Sequence, residues 1–192
     1  MDIKNICVFC SSSNWIDQKY FRDTGLLGEM ILRKGWRLVY GGTDVGLMGH
    51  LAHTILKGRG EVIGVIPENI QKKGIALKRC TELIVTSDMA SRKNRMIELS
   101  DAFVALPGGF GTAEEVLEVI TLKQLQLHTK PVVFINTLSF YSHLENFFEN
   151  MFEKRFTSDK FRKIYHFAPD IASVEQYLDK YVSIVFSDKW SE

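Results

Sequence analysis

Neither sign of charge predominates in this 192-residue chain: 24 lysines and arginines stand against 23 aspartates and glutamates, giving a formal net charge of +1. The signs are intermixed. That excludes the basic face that reads nucleic acid and the polybasic arm that reads anionic lipid, and it favours a small-molecule partner. Cysteine is scarce and odd in number: Cys7, Cys10 and Cys80. The start, Met1-Asp2-Ile3-Lys4-Asn5, lacks the apolar stretch and cleavage site of a secretory signal, so reduced thiols in a cytoplasmic setting are expected. No apolar run reaches the length of a membrane span, which excludes a membrane partner of that kind. Internal repeats and low-complexity tracts are also missing. What is present is a chain that is 45% apolar and 24% charged, enough for one ordinary core and a single domain over 1–192.

Strand-length apolar runs recur at Ile3–Cys10, Arg37–Tyr40, Glu61–Ile66, Leu83–Thr86, Ala102–Leu106 and Pro131–Ile135. Helical periodicity fills the intervals near 16–34, 46–58, 88–100, 112–127 and 140–154. This alternation predicts an α/β fold, a Rossmann-like doubly wound parallel sheet with helices on both faces. Ligands of such sheets bind outside the carboxyl ends of the strands. Three loops there are unusual: Ser11-Ser12-Ser13-Asn14, Gly41-Gly42-Thr43-Asp44-Val45-Gly46, and the run beginning at Pro107. Beyond about residue 155 the pattern predicts only helices packing on the sheet. Cys7 and Cys10 share a strand at odd separation, face opposite ways, and are read as buried small hydrophobes rather than a metal or disulfide pair. His50 and His53, three apart on a helix, lack a third ligand by spacing and are read as surface or packing residues.

The run Pro107-Gly108-Gly109-Phe110-Gly111-Thr112-Ala113-Glu114-Glu115 opens a helix with glycines that allow close backbone approach. Free N–H groups and the helix dipole make an anion site there, suited to phosphate. It is not a P-loop, because no lysine follows the glycines, and not a dinucleotide fingerprint, because the third glycine is missing. Two carboxylates occupy the first helical turn instead. Thr112-Ala113-Glu114-Glu115 also reads as a capping box, with Thr112 as N-cap and Glu115 at the third position. Capping and general-base catalysis by Glu115 both stand on this evidence.

Met89, Arg92, Lys93 and Met96 fall at i, i+3, i+4 and i+7 of the helix after the fourth strand, which places two cations on an otherwise apolar stripe. Lys93 can snorkel to water. Arg92 is the candidate for function, since a buried guanidinium needs a phosphate or carboxylate partner. A helix after the fourth strand and a turn after the fifth are expected to converge at one sheet edge, with Arg92 and Glu115 facing one substrate.

With these motifs assembled, the sequence resembles the LOG (Lonely Guy) family, long labelled "possible lysine decarboxylase". The resemblance runs through Cys7-Val8-Phe9-Cys10, Tyr40-Gly41-Gly42, Gly46-Leu47-Met48-Gly49, Gly64-Val65-Ile66-Pro67, Arg92-Lys93, Pro107–Glu115 and Lys130-Pro131. It implies a cytokinin riboside 5′-monophosphate phosphoribohydrolase, which cleaves the N-glycosidic bond of a nucleoside 5′-monophosphate to free base and ribose 5-phosphate. It implies catalysis by Arg92 and Glu115, and substrate contacts from Lys93, Gly109, Phe110, Gly111, Thr112, Ala113, Glu114 and Thr121, with Gly42 and Met89 beside them. It implies a homodimer and neither metal nor organic cofactor. Three positions depart from the family pattern: Thr43 replaces a third glycine, Ala90 a histidine and Gly74 a glutamate. The last two are expected at the base end, where they bear on substrate preference. The competing reading is a non-catalytic carrier similar to molybdenum-cofactor carrier proteins, which would have no need of a base beside the sugar.

Overall fold

A computed structural model describes residues 2–185; the ends of the 1–192 domain reading lie outside the described residues. The strands are β1 (Asn5–Phe9), β2 (Arg37–Tyr40), β3 (Val62–Pro67), β4 (Glu82–Thr86), β5 (Ala102–Ala105), β6 (Val132–Ile135) and β7 (His166–Ala168). They pair in the order β4-β3-β2-β1-β5-β6-β7, every pair parallel. The helices are α1 (Gln18–Arg33), α2 (Gly46–Lys57), α3 (Glu68–Gln71), α4 (Met89–Leu99), α5 (Phe110–Gln124), α6 (Ser142–Glu153) and α7 (Ile171–Asp179).

Alternation of side chains along each strand supplies two separate cores. Ile6, Val8 and Cys10 join Leu27, Met30 and Ile31 of α1, Leu51 and Ile55 of α2, and Val174 and Leu178 of α7. Cys7 and Phe9 join Met96 of α4, Val116 and Val119 of α5, and Phe148 and Phe152 of α6 on the other face. The two cysteines therefore point apart, and all three thiols are free. Each fully buried Val, Leu, Ile or Phe contributes about 1.5–3 kcal/mol, so continuous apolar strands are what a sheet covered on both faces requires.

The chain builds outward from β1 to β4, then returns to lay β5 against the other side of β1. The sheet therefore has its switch point between β1 and β5, where ligands bind in folds of this kind. Helix α4 makes the return and packs over β3, β2 and β1. The expected convergence at a sheet edge is thus corrected. β4 is at an edge, but α4 brings Arg92 back to the middle of the sheet, beside the turn that follows β5. Phe9 pairs with Ala105, and beyond the strands Leu106 N–H donates to Phe9 O at 3.0 Å.

Candidate active site

At this switch point lies a cleft of about 410 Å³. Its walls are Phe9 to Ser13 after β1, Gly41 and Met48 after β2, Arg92 and Met96 of α4, and Gly109 to Thr112 with Glu115 of α5. Arg92 and Glu115, each 8% exposed, meet inside it. Arg92 Nη1 donates to Glu115 Oε1 at 2.6 Å, and Arg92 Nε donates to Val65 O at 3.1 Å. A backbone carbonyl and a carboxylate thus fix the guanidinium at both ends. Close approach to Gly41 completes the fit, because a Cβ there would fall 2.1 Å from Arg92 Nη2 and 2.4 Å from Met48 Cε. Burial pushes the Glu115 carboxyl above its ordinary range, with the Arg92 guanidinium pulling the other way.

The capping box is not formed. Helix α5 begins two residues before Thr112, with Gly109 as N-cap and no side-chain cap at all. Thr112 turns back onto Gly108, where a Cβ would stand 2.1 Å from Thr112 Oγ1, and is itself buried. Glu115 is consequently a residue of the second turn, committed to Arg92. The first intrahelical bond is Ala113 N to Gly109 O at 3.0 Å. Earlier N–H groups at a helix start lack such partners, and with no capping side chain they are available to an anion at the positive end of the dipole.

Of the residues singled out from sequence, Arg92, Glu115, Gly109, Phe110, Gly111 and Thr112 meet in the cleft. Lys93 does not line it. Its ammonium bridges α4 to Glu114 and, at 3.1 Å, to Glu118 of α5, which raises its pKa chiefly through the Glu114 hydrogen bond. Lys93 therefore clamps two helices rather than snorkelling to water, and Glu118, its second partner, was not legible from spacing. Ala113 and Met89 lie outside the lining, Met89 at 43% exposure. Thr121 donates Oγ1 to Leu117 O at 2.8 Å and lines a separate apolar groove with Leu117 and Phe147. Gly41 takes the place expected for Gly42, which instead packs against Ile66 with φ of 75°. Cys10, Met48 and Met96 went unnoticed as lining residues, although Cys10 stands at the carboxyl end of β1, where this fold puts its ligands.

The three departures separate. Thr43 is buried, its hydroxyl 3.2 Å from the sulfur of Met48, so it touches a wall of the cleft. Ala90 is exposed, and Gly74, at φ of 77°, has open space where a Cβ would stand, so neither lines the cleft. His53 pairs with Asp44 at 2.6 Å, and His50 meets Phe21 edge-on. Among the described residues, no three His, Cys, Asp or Glu side chains are grouped to hold a metal, and no helix is long and apolar enough to cross a membrane.

Residues 48–178 match the family described as "Possible lysine decarboxylase". Over 179 residues the chain is 40% identical to a cytokinin riboside 5′-monophosphate phosphoribohydrolase of Arabidopsis thaliana, covering 93% of this chain and 84% of the relative. This chain belongs to the LOG family. A cytokinin riboside 5′-monophosphate phosphoribohydrolase of Oryza sativa subsp. japonica is 37% identical over 191 residues, covering 97% of this chain and 79% of its own. Among solved structures, a molybdenum-cofactor carrier protein from Chlamydomonas reinhardtii superposes with a TM-score of 0.69 at 27% identity, over 93% of this chain and 99% of the other. A molybdenum cofactor binding protein from Rippkaea orientalis, at 22% identity and a TM-score of 0.68 over 92% and 95%, shares the fold. Among the residues that line the cleft there is no lysine to anchor pyridoxal phosphate.

Proposed function

We propose that this protein hydrolyses the N-glycosidic bond of a nucleoside 5′-monophosphate, AMP or a cytokinin riboside monophosphate, releasing the free base and ribose 5-phosphate. The buried Arg92–Glu115 pair carries this reading, set one helical turn from the uncapped start of α5. The phosphate sits on the N–H groups of Phe110 to Thr112, where the dipole favours negative charge. Arg92 engages Glu115 through Oε1 and leaves Oε2 for a water or a ribose hydroxyl. Water adds to C1′ as the bond from C1′ to the base breaks. Glu115 takes the proton of the attacking water and stabilises positive charge developing on the ribose, while the base leaves with the bonding pair and takes up a proton from solvent, to which Glu115 then returns its own. A carrier needs no such base, and the 37–41% identities are to relatives named as hydrolases.

Substrate contacts from Lys93, Glu114 and Thr121, and a cytoplasmic homodimer, belong to the same reading. Support for the dimer comes from the apolar face of α5 and α6, where Leu117, Phe147 and nearby Phe156 are exposed. Incubation with AMP and a panel of other monophosphates, with release of ribose 5-phosphate as the readout, tests the function. The reading fails if none is cleaved, or if Glu115→Gln cleaves as fast as the native chain.

A further inference from the structure

A cavity of about 700 Å³, larger than the cleft, lies at the β7 edge of the sheet between β7, α7 and the short 3-10 turn at Asp159–Lys163. Its volume is that of ordinary small-molecule sites. The rings of Tyr165, His166, Tyr177 and Tyr181 line it together with Lys163 and Lys180, and among the described residues no carboxylate does. The His166 ring stacks on Tyr177 at 4.4 Å and 10°, and the Tyr177 and Tyr181 centroids are 5.7 Å apart. Burial holds His166 below its ordinary range, which makes it a neutral ring rather than a third cation.

The charges are unbalanced in one direction. Arg162, also on the wall, is committed to Glu149 and Asp159. Lys163 and Lys180 form no ion pair among the described residues. Tyr181 carries a further positive charge against its ring: Lys123, 2% exposed, has its ammonium 4.9 Å from the ring centroid and no hydrogen-bond partner among the described residues. Lys123 does not itself line the cavity and touches it only through the Tyr181 ring. Stacked rings alone would suit any flat apolar molecule, and lysines alone any anion. Their combination selects for both.

We propose that this cavity is a second ligand site, taking a phosphorylated aromatic molecule of nucleotide size with its ring against the half-buried Tyr177 and its phosphate on Lys163 and Lys180. Aromatic faces bind flat rings by offset or edge contacts, and lysine binds phosphate as a point charge. Equilibrium dialysis of radiolabelled AMP against the full-length Glu115→Gln protein, which should not consume it, reads the number of sites. Two AMP per chain are expected. Adding Lys163→Glu and Lys180→Glu, both at exposed positions, should remove one of them, and Tyr177→Ala should weaken the same one. In an otherwise native chain the double lysine change should leave AMP cleavage within about twofold, as expected of surface charges away from the chemistry.

A stoichiometry unchanged by the lysine substitutions overturns the proposal. So does a single AMP per chain that Arg92→Ala abolishes. Should the cleft bind no AMP, one equivalent sensitive to Lys163 and Lys180 still supports the second site, so the two readings fail separately. Pyrophosphate or adenosine binding there as tightly as AMP would overturn the aromatic or the phosphate half respectively.

Discussion

Burial and the Arg92 guanidinium act on Glu115 in opposite directions, and the net effect is upward. In the proposed reaction Glu115 is the general base, which works only when deprotonated, so cleavage is expected to rise with pH as Glu115 ionises. The acid limb of kcat/KM is therefore expected above the ordinary glutamate value of about 4.3. Glu115→Gln should abolish that limb and lower kcat by about 10²–10⁴-fold. Arg92→Ala removes the charge that opposes burial, so whatever activity survives should show its limb at still higher pH; a limb shifted downward would contradict the pairing. Gly41 offers an indirect test of the same pair. In Gly41→Ala the new methyl meets Arg92 and Met48 at distances no real contact tolerates, while Arg92 remains tied to Val65 O. Both groups are the far ends of flexible side chains, so the fold can yield locally, and the guanidinium is one of the groups that must move. A fall in kcat/KM of about tenfold or more is expected with the fold retained by circular dichroism. Equal kinetics in the variant would show that the seating of Arg92 is not critical.

Helix α5 carries a cost in its last turn. Lys123 on it is almost fully buried with no hydrogen-bond partner among the described residues, and desolvation lowers its pKa to about 8. The unfolded value is near 10.4, so the folded state resists protonation. Its favourable contribution is present above about pH 10, is lost as pH falls toward 8, and becomes a constant cost below that. A shift of this size corresponds to about 3 kcal/mol, and the Tyr181 contact returns about 1 kcal/mol. Lys123→Met should therefore stabilise the protein by about 2 kcal/mol at pH 7 in urea denaturation, with the gain fading above pH 10. No gain at pH 7 would mean that the ammonium is better accommodated than its surroundings imply. The same helix shows what sequence pattern reveals and what it conceals. Its existence was legible from composition, and so were the six longer strands, β1, β2, β3, β5 and β6 because both their faces are buried and the more exposed β4 through its run of Leu, Ile and Val. Its start was not, because a threonine before two glutamates looks the same whether its hydroxyl caps the helix or folds back onto Gly108. β7 escaped notice because three residues at a sheet edge carry no periodicity. Arg92 was legible as a cation on an apolar stripe. Glu118 was not, since nothing in spacing says which of three glutamates on α5 will face a lysine on α4.

Over the whole molecule, apolar exposure is uneven. Leu117 on α5, Phe147 on α6 and Phe156 just beyond it are 37%, 56% and 85% exposed, around a groove of about 390 Å³ between the two helices. A net charge of +1 supplies little long-range repulsion between copies. Apolar groups clustered on one face are more economically covered by a second copy than left in water, and a twofold contact buries the same patch on both partners. Thr121 stands on this face and not in the cleft of its own chain. A contact between Thr121 and substrate thus requires that the second copy bring its cleft alongside. Sedimentation velocity at micromolar concentration should give a species of twice the 22.0 kDa chain mass. Leu117→Asp with Phe147→Asp, both already partly exposed, should give the 22.0 kDa monomer with its circular dichroism unchanged. If Thr121 serves the partner's site, this folded monomer should lose cleavage to at least the extent that Thr121→Ala does in the dimer. A fully active monomer would confine the whole site to one chain, and a native chain that sediments as a monomer would remove the dimer altogether.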